Sequence, residues 1–201
     1  MENIVREKEL RVYVPSECVV FCKTKEDFGG YSNMCAGYPL VVNGIEILTS
    51  EALYQAFRFP KYPEIQQAII AQKSPMKAKM KTKPHRKKCN RPDWDACHIL
   101  LMRWCLRVKL LQNWEKFSAL LLASDSRAIV EKSTKGDKFW GAVLTEVGTL
   151  VGQNYMGRLL MELRENIKSN VDPLSADFTV LAPLYIPDFL LCGEKIQEIR
   201  R

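Results

Sequence analysis

The stretch from Trp94 to about Asn113 reads as one long helix that is apolar around most of its circumference, interrupted by Arg103, Arg107 and Lys109. A helix with no broad polar face cannot rest on a surface; other elements have to wrap it. It is expected at the centre of the fold, with Asp93 at its N-cap. The chain has 201 residues with 47% apolar content, enough for one substantial core.

The other elements are shorter. Val19 to Cys22 reads as a buried strand, followed by a turn-rich loop, EDFGGYSNMCAGYP. Leu40 to Val42 and Ile45 to Leu48 flank Asn43-Gly44, the two-residue signal of a type I′ hairpin. Thr49 or Ser50 offers a cap oxygen to a helix over Glu51 to Phe59 that Pro60 stops. Further helices are expected over 63–72, from Ser74-Pro75, and over 115–124, with KTKPHRKKCNRP between as a basic linker. Ala128 to Glu131 reads as a strand, STKGDKFWGA as a loop, and Tyr155 to about Ile167 as a helix capped by Asn154. From Ser169 onward, proline-punctuated apolar sequence is expected to pack on the domain as irregular or edge-strand structure.

Charge is localised. Nine bases (Lys73, Lys77, Lys79, Lys81, Lys83, Arg86, Lys87, Lys88 and Arg91) occur between Glu64 and Asp93 with no acid among them. The net charge of +7 comes from this segment, since the rest of the chain holds 21 bases against 23 acids. It can meet a polyanion such as nucleic acid, or be a solvated face. The seven cysteines form no CxxC pair and no zinc-type cluster with His85 or His98, so they read as reduced thiols and no metal is expected. The charged N-terminus and the lack of a long apolar run point to a cytoplasmic protein.

Several polar residues stand where chemistry could use them. Glu51, Gln55 and Arg58 follow at i, i+4 and i+7, with Tyr54 beside them, and the helix dipole at Glu51 is expected to keep its carboxylate ionised. Asp137 and Trp140 share a glycine-flanked loop, suited to a ribose contact and base stacking, while Gly152-Gln153-Asn154 leads into a helix N-terminus able to hold an anion. Lys109 must reach solvent, a partner or a pocket.

In order along the chain, FGGYSN (28–33), NGIEILTSEALYQAFRF (43–59), KSPMKAK (73–79), IVEKSTKGDKFWG (129–141) and GQNYMGRLLMELRENI (152–167) resemble the NADAR (YbiA-like) family over residues 18–168. Residues 1–17 and 169–201 are then extensions. The resemblance implies a compact, mostly helical α+β domain with short strands and a β-hairpin, and cleavage of the bond between a ribose anomeric carbon and an amine, without a cofactor. Its two associated substrates are ADP-ribose on guanine, with the domain as antitoxin to a DarT-type DNA ADP-ribosyltransferase, and phosphoribosylamino-pyrimidine intermediates of riboflavin synthesis.

The implied catalytic residues are Glu51, Asp137 and Lys109; the implied substrate contacts are Gly29, Ser32, Asn33, Tyr54, Gln55, Trp140, Gly141, Gly152 and Asn154. Three positions depart from the family pattern: Ala52 replaces a common histidine, Leu110 follows Lys109 where phenylalanine is frequent, and AVLTEVGTLVGQN follows Gly141 in place of glycine-rich sequence. The basic segment tips the choice toward ADP-ribosylated DNA. A module that binds ADP-ribose or nucleic acid without cleaving it, and a partner that docks on a toxin, are the non-enzymatic alternatives.

Overall fold

The computed structural model describes residues 9–170 and 176–201, and it is the expected helix-rich α+β structure with short strands and a hairpin. First come β1 (Arg11–Tyr13), β2 (Cys18–Phe21), β3 (Leu40–Val42) and β4 (Ile45–Ile47). Four short helices follow: α1 (Ser50–Ala56), α2 (Pro63–Ile70), α3 (Pro75–Lys81) and α4 (Arg86–Cys89). The long α5 (Trp94–Gln112) and α6 (Trp114–Leu122) precede β5 (Ala128–Glu131), β6 (Val143–Leu144), β7 (Leu150–Gly152) and α7 (Tyr155–Ser169). The C-terminal part holds α8 (Ala176–Thr179), β8 (Val180–Leu181), β9 (Leu190–Leu191), β10 (Glu194–Lys195) and β11 (Ile199–Arg200). Parts of both terminal extensions, residues 1–8 and 171–175, lie outside the described residues.

The chain divides into two compact units, each built from two separate stretches: described residues 9–32 join 115–170, and 33–114 join 176–201. In the first, β1, β7 and β6 form an antiparallel sheet with Val151 opposite both Val12 and Val143. Strands β2 and β5 pair in parallel, with Val19 opposite Ile129, and α7 packs against β5. Arg164 of α7 is buried and donates from Nη1 to Ser124 Oγ (2.8 Å) and the Arg127 carbonyl (2.6 Å), tying the helix to the turn before β5.

Two expectations about α7 are corrected. Asn154 does not cap it with its side chain: the residue is left-handed (φ 50°), its Oδ1 accepts the Glu131 N–H (3.1 Å), and its Nδ2 donates to the Ile129 carbonyl (2.8 Å). The amide imitates a peptide group alongside β5, which occupies the oxygen that a cap would need. Nor is the start of α7 an open anion site, because the N–H groups of Tyr155 and Met156 donate to the carbonyls of Phe139 and Trp140, both at 3.0 Å.

In the second unit, Thr49 caps α1 by accepting the Ala52 N–H at 3.3 Å, and every residue of α1 is buried. This is because α1 packs on α2, α3 and α5 together. The hairpin turn takes the expected form, with Asn43 and Gly44 at φ 51° and 74°. Helix α5 is buried along most of its length, as its sequence demands, but Asp93 does not cap it. The Asp93 carboxylate instead accepts both arms of Arg91, at 2.7 and 2.9 Å, which places the acid on a buried cation ahead of the helix. Trp104 of α5 donates from Nε1 to the Ala182 carbonyl (3.0 Å), and β8 and β11 pack on α5, so the C-terminal strands are part of this unit.

The expected basic linker is helical, with a 3-10 turn at Lys83–His85 and then α4. Lysine is a good helix former, and Pro84 falls at the opening of its turn, where no N–H is needed. Buried Thr82 fixes the junction, donating from Oγ1 to the Lys79 carbonyl and accepting from Arg86 Nε.

Among the described residues no helix is long and apolar enough to cross a membrane. All seven cysteines are free thiols, and burial pushes those of Cys18, Cys97, Cys105 and Cys192 up.

Candidate active site

The sequence-derived candidates are shared between the units: Asn33, Tyr54, Gln55, Glu51 and Lys109 belong to the second, and Gly29, Ser32, Asp137, Trp140, Gly141, Gly152 and Asn154 to the first.

The second unit gathers most of its candidates around Glu51. The first turn of α1 carries this carboxyl into the interior, where the residue is 3% exposed. The loop before β3 brings Asn33 alongside, since the Asn33 carbonyl accepts both the Glu51 N–H (3.0 Å) and the Ser50 hydroxyl (3.2 Å). Asn33 Nδ2 then donates to Glu51 Oε2 at 2.5 Å. One turn along α1, Gln55 Nε2 donates to Glu51 Oε1 (3.0 Å), while its own Oε1 accepts Arg58 Nε (2.9 Å). The helical stripe read from the sequence is thus a chain of hydrogen bonds, Arg58 to Gln55 to Glu51, closed from the far side by Asn33. Each carboxylate oxygen faces an amide donor, which fixes the plane of the group.

By sequence Lys79 is one of the basic run and Arg58 one of the helical stripe. The structure places Lys79 Nζ 4.0 Å from Glu51 Oε1, its side chain half exposed, and lays the Arg58 guanidinium 3.7 Å above the Trp94 ring centroid. Trp94 also contacts Tyr54 (5.1 Å between centroids) and stacks on His98 (5.9 Å). The signal for Lys79 was its place in KSPMKAK, one of the family-like fragments; nothing local pointed to Trp94.

Burial raises the Glu51 carboxyl above its ordinary value, and Lys79, Gln55, Arg58 and Asn33 only partly oppose it. The help that the helix dipole was expected to give the ionised form meets a larger opposing effect, the loss of water around the carboxyl. The same burial lowers Arg58 to about 10, so it stays a cation at neutral pH, and pushes the Tyr54 hydroxyl well up. A carboxyl more basic than usual, gripped by two donors, is suited to taking a proton from water and returning it.

Lys109 does not snorkel to solvent. It is 1% exposed, with Nζ 4.3 Å from the Tyr38 ring centroid, where the π-face compensates part of the lost hydration.

In the first unit the candidates shape a loop. Asp137 is exposed, and its Oδ1 accepts the N–H groups of Phe139 (2.9 Å) and Trp140 (3.0 Å) while its own N–H donates to Ser133 Oγ (2.9 Å). This turn holds Trp140 half-buried, edge-on to Phe139. Gly29, Gly141 and Gly152 each lie against backbone that a side chain would strike: the carbonyls of Thr24, Glu131 and Gly141 respectively. Buried Ser32 donates its N–H to the Gly29 carbonyl. An open depression of about 450 Å³ is lined by Lys138 and residues 143–147 and contains none of the candidates. Among the described residues no three His, Cys, Asp or Glu side chains converge as a metal site.

Comparison with known proteins gives a consistent result. The NADAR domain matches residues 20–168. N-glycosidase YbiA of Escherichia coli strain K12 is 36% identical over 169 residues, covering 81% of this chain and 96% of that protein. The riboflavin biosynthesis protein VVA0006 of Vibrio vulnificus strain YJ016 is 28% identical over 164 residues, 81% of this chain but 42% of that one. The NMR structure of the E. coli protein YbiA matches with a TM-score of 0.61 at 35% identity, covering 76% of this chain and 87% of that one.

Proposed function

Because the chain belongs to the NADAR family and is a hydrolase of N-glycosyl bonds, we propose that the bond it cuts joins ADP-ribose to guanine in DNA. The buried Glu51 carboxyl between two amide donors carries the reaction. In hydrolysis the bond from C1′ of the ribose to the base nitrogen breaks and its electron pair leaves with the nitrogen. Water supplies a hydroxyl to C1′, and its proton ends on the leaving amine. Positive charge builds on the sugar meanwhile, so an oriented carboxylate stabilises the transition state as well as accepting the proton of water. Asn33 and Gln55 keep its lone pairs directed, and Arg58 holds Gln55. Lys79, reaching from solvent to the carboxyl, is placed to hold a phosphate of the substrate.

The observation favouring DNA is the acid-free run of bases, in which Lys73, Lys77, Lys79, Lys81, Lys83, Lys87 and Lys88 are all exposed. A DarT-type DNA ADP-ribosyltransferase is the class of enzyme that would make such a substrate. The second reading is a phosphoribosylamino-pyrimidine, favoured by the likeness to proteins named for riboflavin biosynthesis. Incubation with guanine-ADP-ribosylated DNA and, separately, with the pyrimidine, following sugar release by mass, separates them. Release of ADP-ribose from DNA alone is the expected result; cleavage of the pyrimidine alone would reverse the choice. In the same reading, DNA affinity falls with salt at about 0.9 log units per log unit for each phosphate neutralised. A flat titration would remove the basic segment from substrate binding.

Gln55→Leu tests the hydrogen-bond chain. It removes a donor that favours the ionised Glu51, so the folded carboxyl titrates higher still, and the acid limb of the kcat/KM profile is expected to move to higher pH. An unmoved limb in a folded variant would mean that Glu51 is not the group titrating there.

A further inference from the structure

A side-chain amide can face either way. Gln55 supports the ionised Glu51 only while its Nε2 points at the carboxylate, and a reversed amide would set one oxygen against another. The sense is decided at the far end of the amide, where Gln55 Oε1 accepts Arg58 Nε at 2.9 Å. The group that orients Glu51 therefore depends on where the Arg58 guanidinium is held.

Arg58 stands just past the end of α1, partly buried, and burial weighs against its charge. Among the described residues its hydrogen-bond acceptors are two neutral oxygens, Gln55 Oε1 and, at 3.5 Å, Asn90 Oδ1. Its remaining contact is the Trp94 indole, with the ring centroid 3.7 Å from the guanidinium carbon. A π-face attracts a cation more strongly where water is excluded, and a planar guanidinium suits it better than an ammonium does.

Trp94 is itself tied in place. It opens α5, its N–H donates to the Arg91 carbonyl (3.3 Å), and the Arg91 N–H donates to the Arg58 carbonyl (2.7 Å), so the backbone links indole and guanidinium. Tyr54 packs on the ring with 5.1 Å between centroids, and His98 stacks on it at 5.9 Å. The residue is left 5% exposed, which gives a ligand little of the indole to touch.

Resting on the reading that Glu51 carries the reaction, we infer that Trp94 is a positioning residue for it: the indole holds Arg58, Arg58 sets the sense of the Gln55 amide, and Gln55 keeps the Glu51 carboxylate directed. Loss of the π-face frees the guanidinium and lets Gln55 reverse. The ionised carboxyl then loses a donor, and Glu51 titrates higher still.

The test compares Trp94→Leu with Trp94→Phe in the full chain, on guanine-ADP-ribosylated DNA and on the phosphoribosylamino-pyrimidine, with melting temperature recorded alongside. Both replacements are smaller than indole, but only phenylalanine keeps a π-face. Trp94→Leu is expected to lower kcat on the order of tenfold, a part of what general acid–base catalysis contributes, with KM unchanged and the acid limb of kcat/KM moved to higher pH. Trp94→Phe should recover most of both. In Trp94→Leu/Gln55→Leu the loss should be no larger than in Gln55→Leu alone, because the two substitutions break the same relay. Equal losses in the leucine and phenylalanine variants would mean that filled volume matters and the π-face does not. A rise in KM alone would mean that the indole touches substrate, and losses that multiply in the double variant would put Trp94 outside the relay. Each of these overturns the inference. A fluorinated tryptophan at position 94 alone keeps the shape while weakening the π-face, so it serves where Trp94→Leu does not fold. The acid limb should move in the same direction, and an unmoved limb overturns the inference as well. Near-normal turnover in Glu51→Gln would instead sink the reading on which the inference rests.

Discussion

Glu51→Gln is expected to lower kcat by about 10²–10⁴-fold while leaving a folded protein that melts at a higher temperature at neutral pH. The first part follows from removing the only group of the α1 cluster able to take a proton from water. The second follows from linkage. A carboxyl whose folded value is raised contributes stability that is fully present below its ordinary value of 4.5 and is lost as pH rises through the folded value. The wild-type protein therefore carries a burden at neutral pH that a neutral isostere removes. Asn33 can turn its amide to accept from the new one, while Gln55, held by Arg58, continues to donate. Melting curves at several pH values, with turnover measured in parallel, check both parts. The advantage of the variant should shrink toward pH 4.5 and grow above it. Near-normal turnover in a folded Glu51→Gln protein would remove this residue from the mechanism, and a melting temperature with no pH-dependent difference would contradict its burial as a charge.

Gly157→Ala carries the largest expected cost to the fold. Alanine in place of glycine inside a helix ordinarily stabilises by about 1 kcal/mol. Here the added carbon would overlap the Ile129 carbonyl oxygen and would also fall inside contact distance of both polar atoms of the Asn154 amide. Neither can yield: Ile129 is locked in β5 against β2, and the Asn154 amide is bonded at both ends to the same strand. Overpacking against fixed backbone wins, and the net loss is expected to be about 3 kcal/mol. For a chain of this size that is a fall of roughly 10 °C in melting temperature. Unchanged melting would show that α7 can move off β5.

The elements that local chemistry dictates were legible in the sequence. Asn43-Gly44 fixed its hairpin, Thr49 its cap, and the all-round apolar pattern of α5 its burial. The misreadings share a cause. Asp93 and Asn154 both stand one residue before a helix with a side chain suited to capping, yet each is claimed by a stronger partner whose position only the tertiary structure supplies: the Arg91 guanidinium and the backbone of β5. Likewise the stripe of Glu51, Gln55 and Arg58 could be read at helical spacing, but the state of the carboxyl could not, because desolvation depends on what covers α1. Asn33 was legible only through its place in FGGYSN, and Lys79 only through KSPMKAK; each reaches Glu51 from an element other than α1.

The interleaving of the two units has a bearing on how the protein is made. Strand β1 has to wait for β7 and β2 for β5, while Trp104 and the loop at Asn43 wait for Ala182, Lys195 and Gln197. Both units depend on partners far apart along the chain, an arrangement that slows folding because long loops must close before their contacts can reward them. As the polypeptide leaves the ribosome, the Glu51 helix emerges early but the unit that buries it is finished late. During that interval the apolar faces of α1 and α5 lack the strands that cover them, and exposed apolar surface of this kind is prone to aggregate.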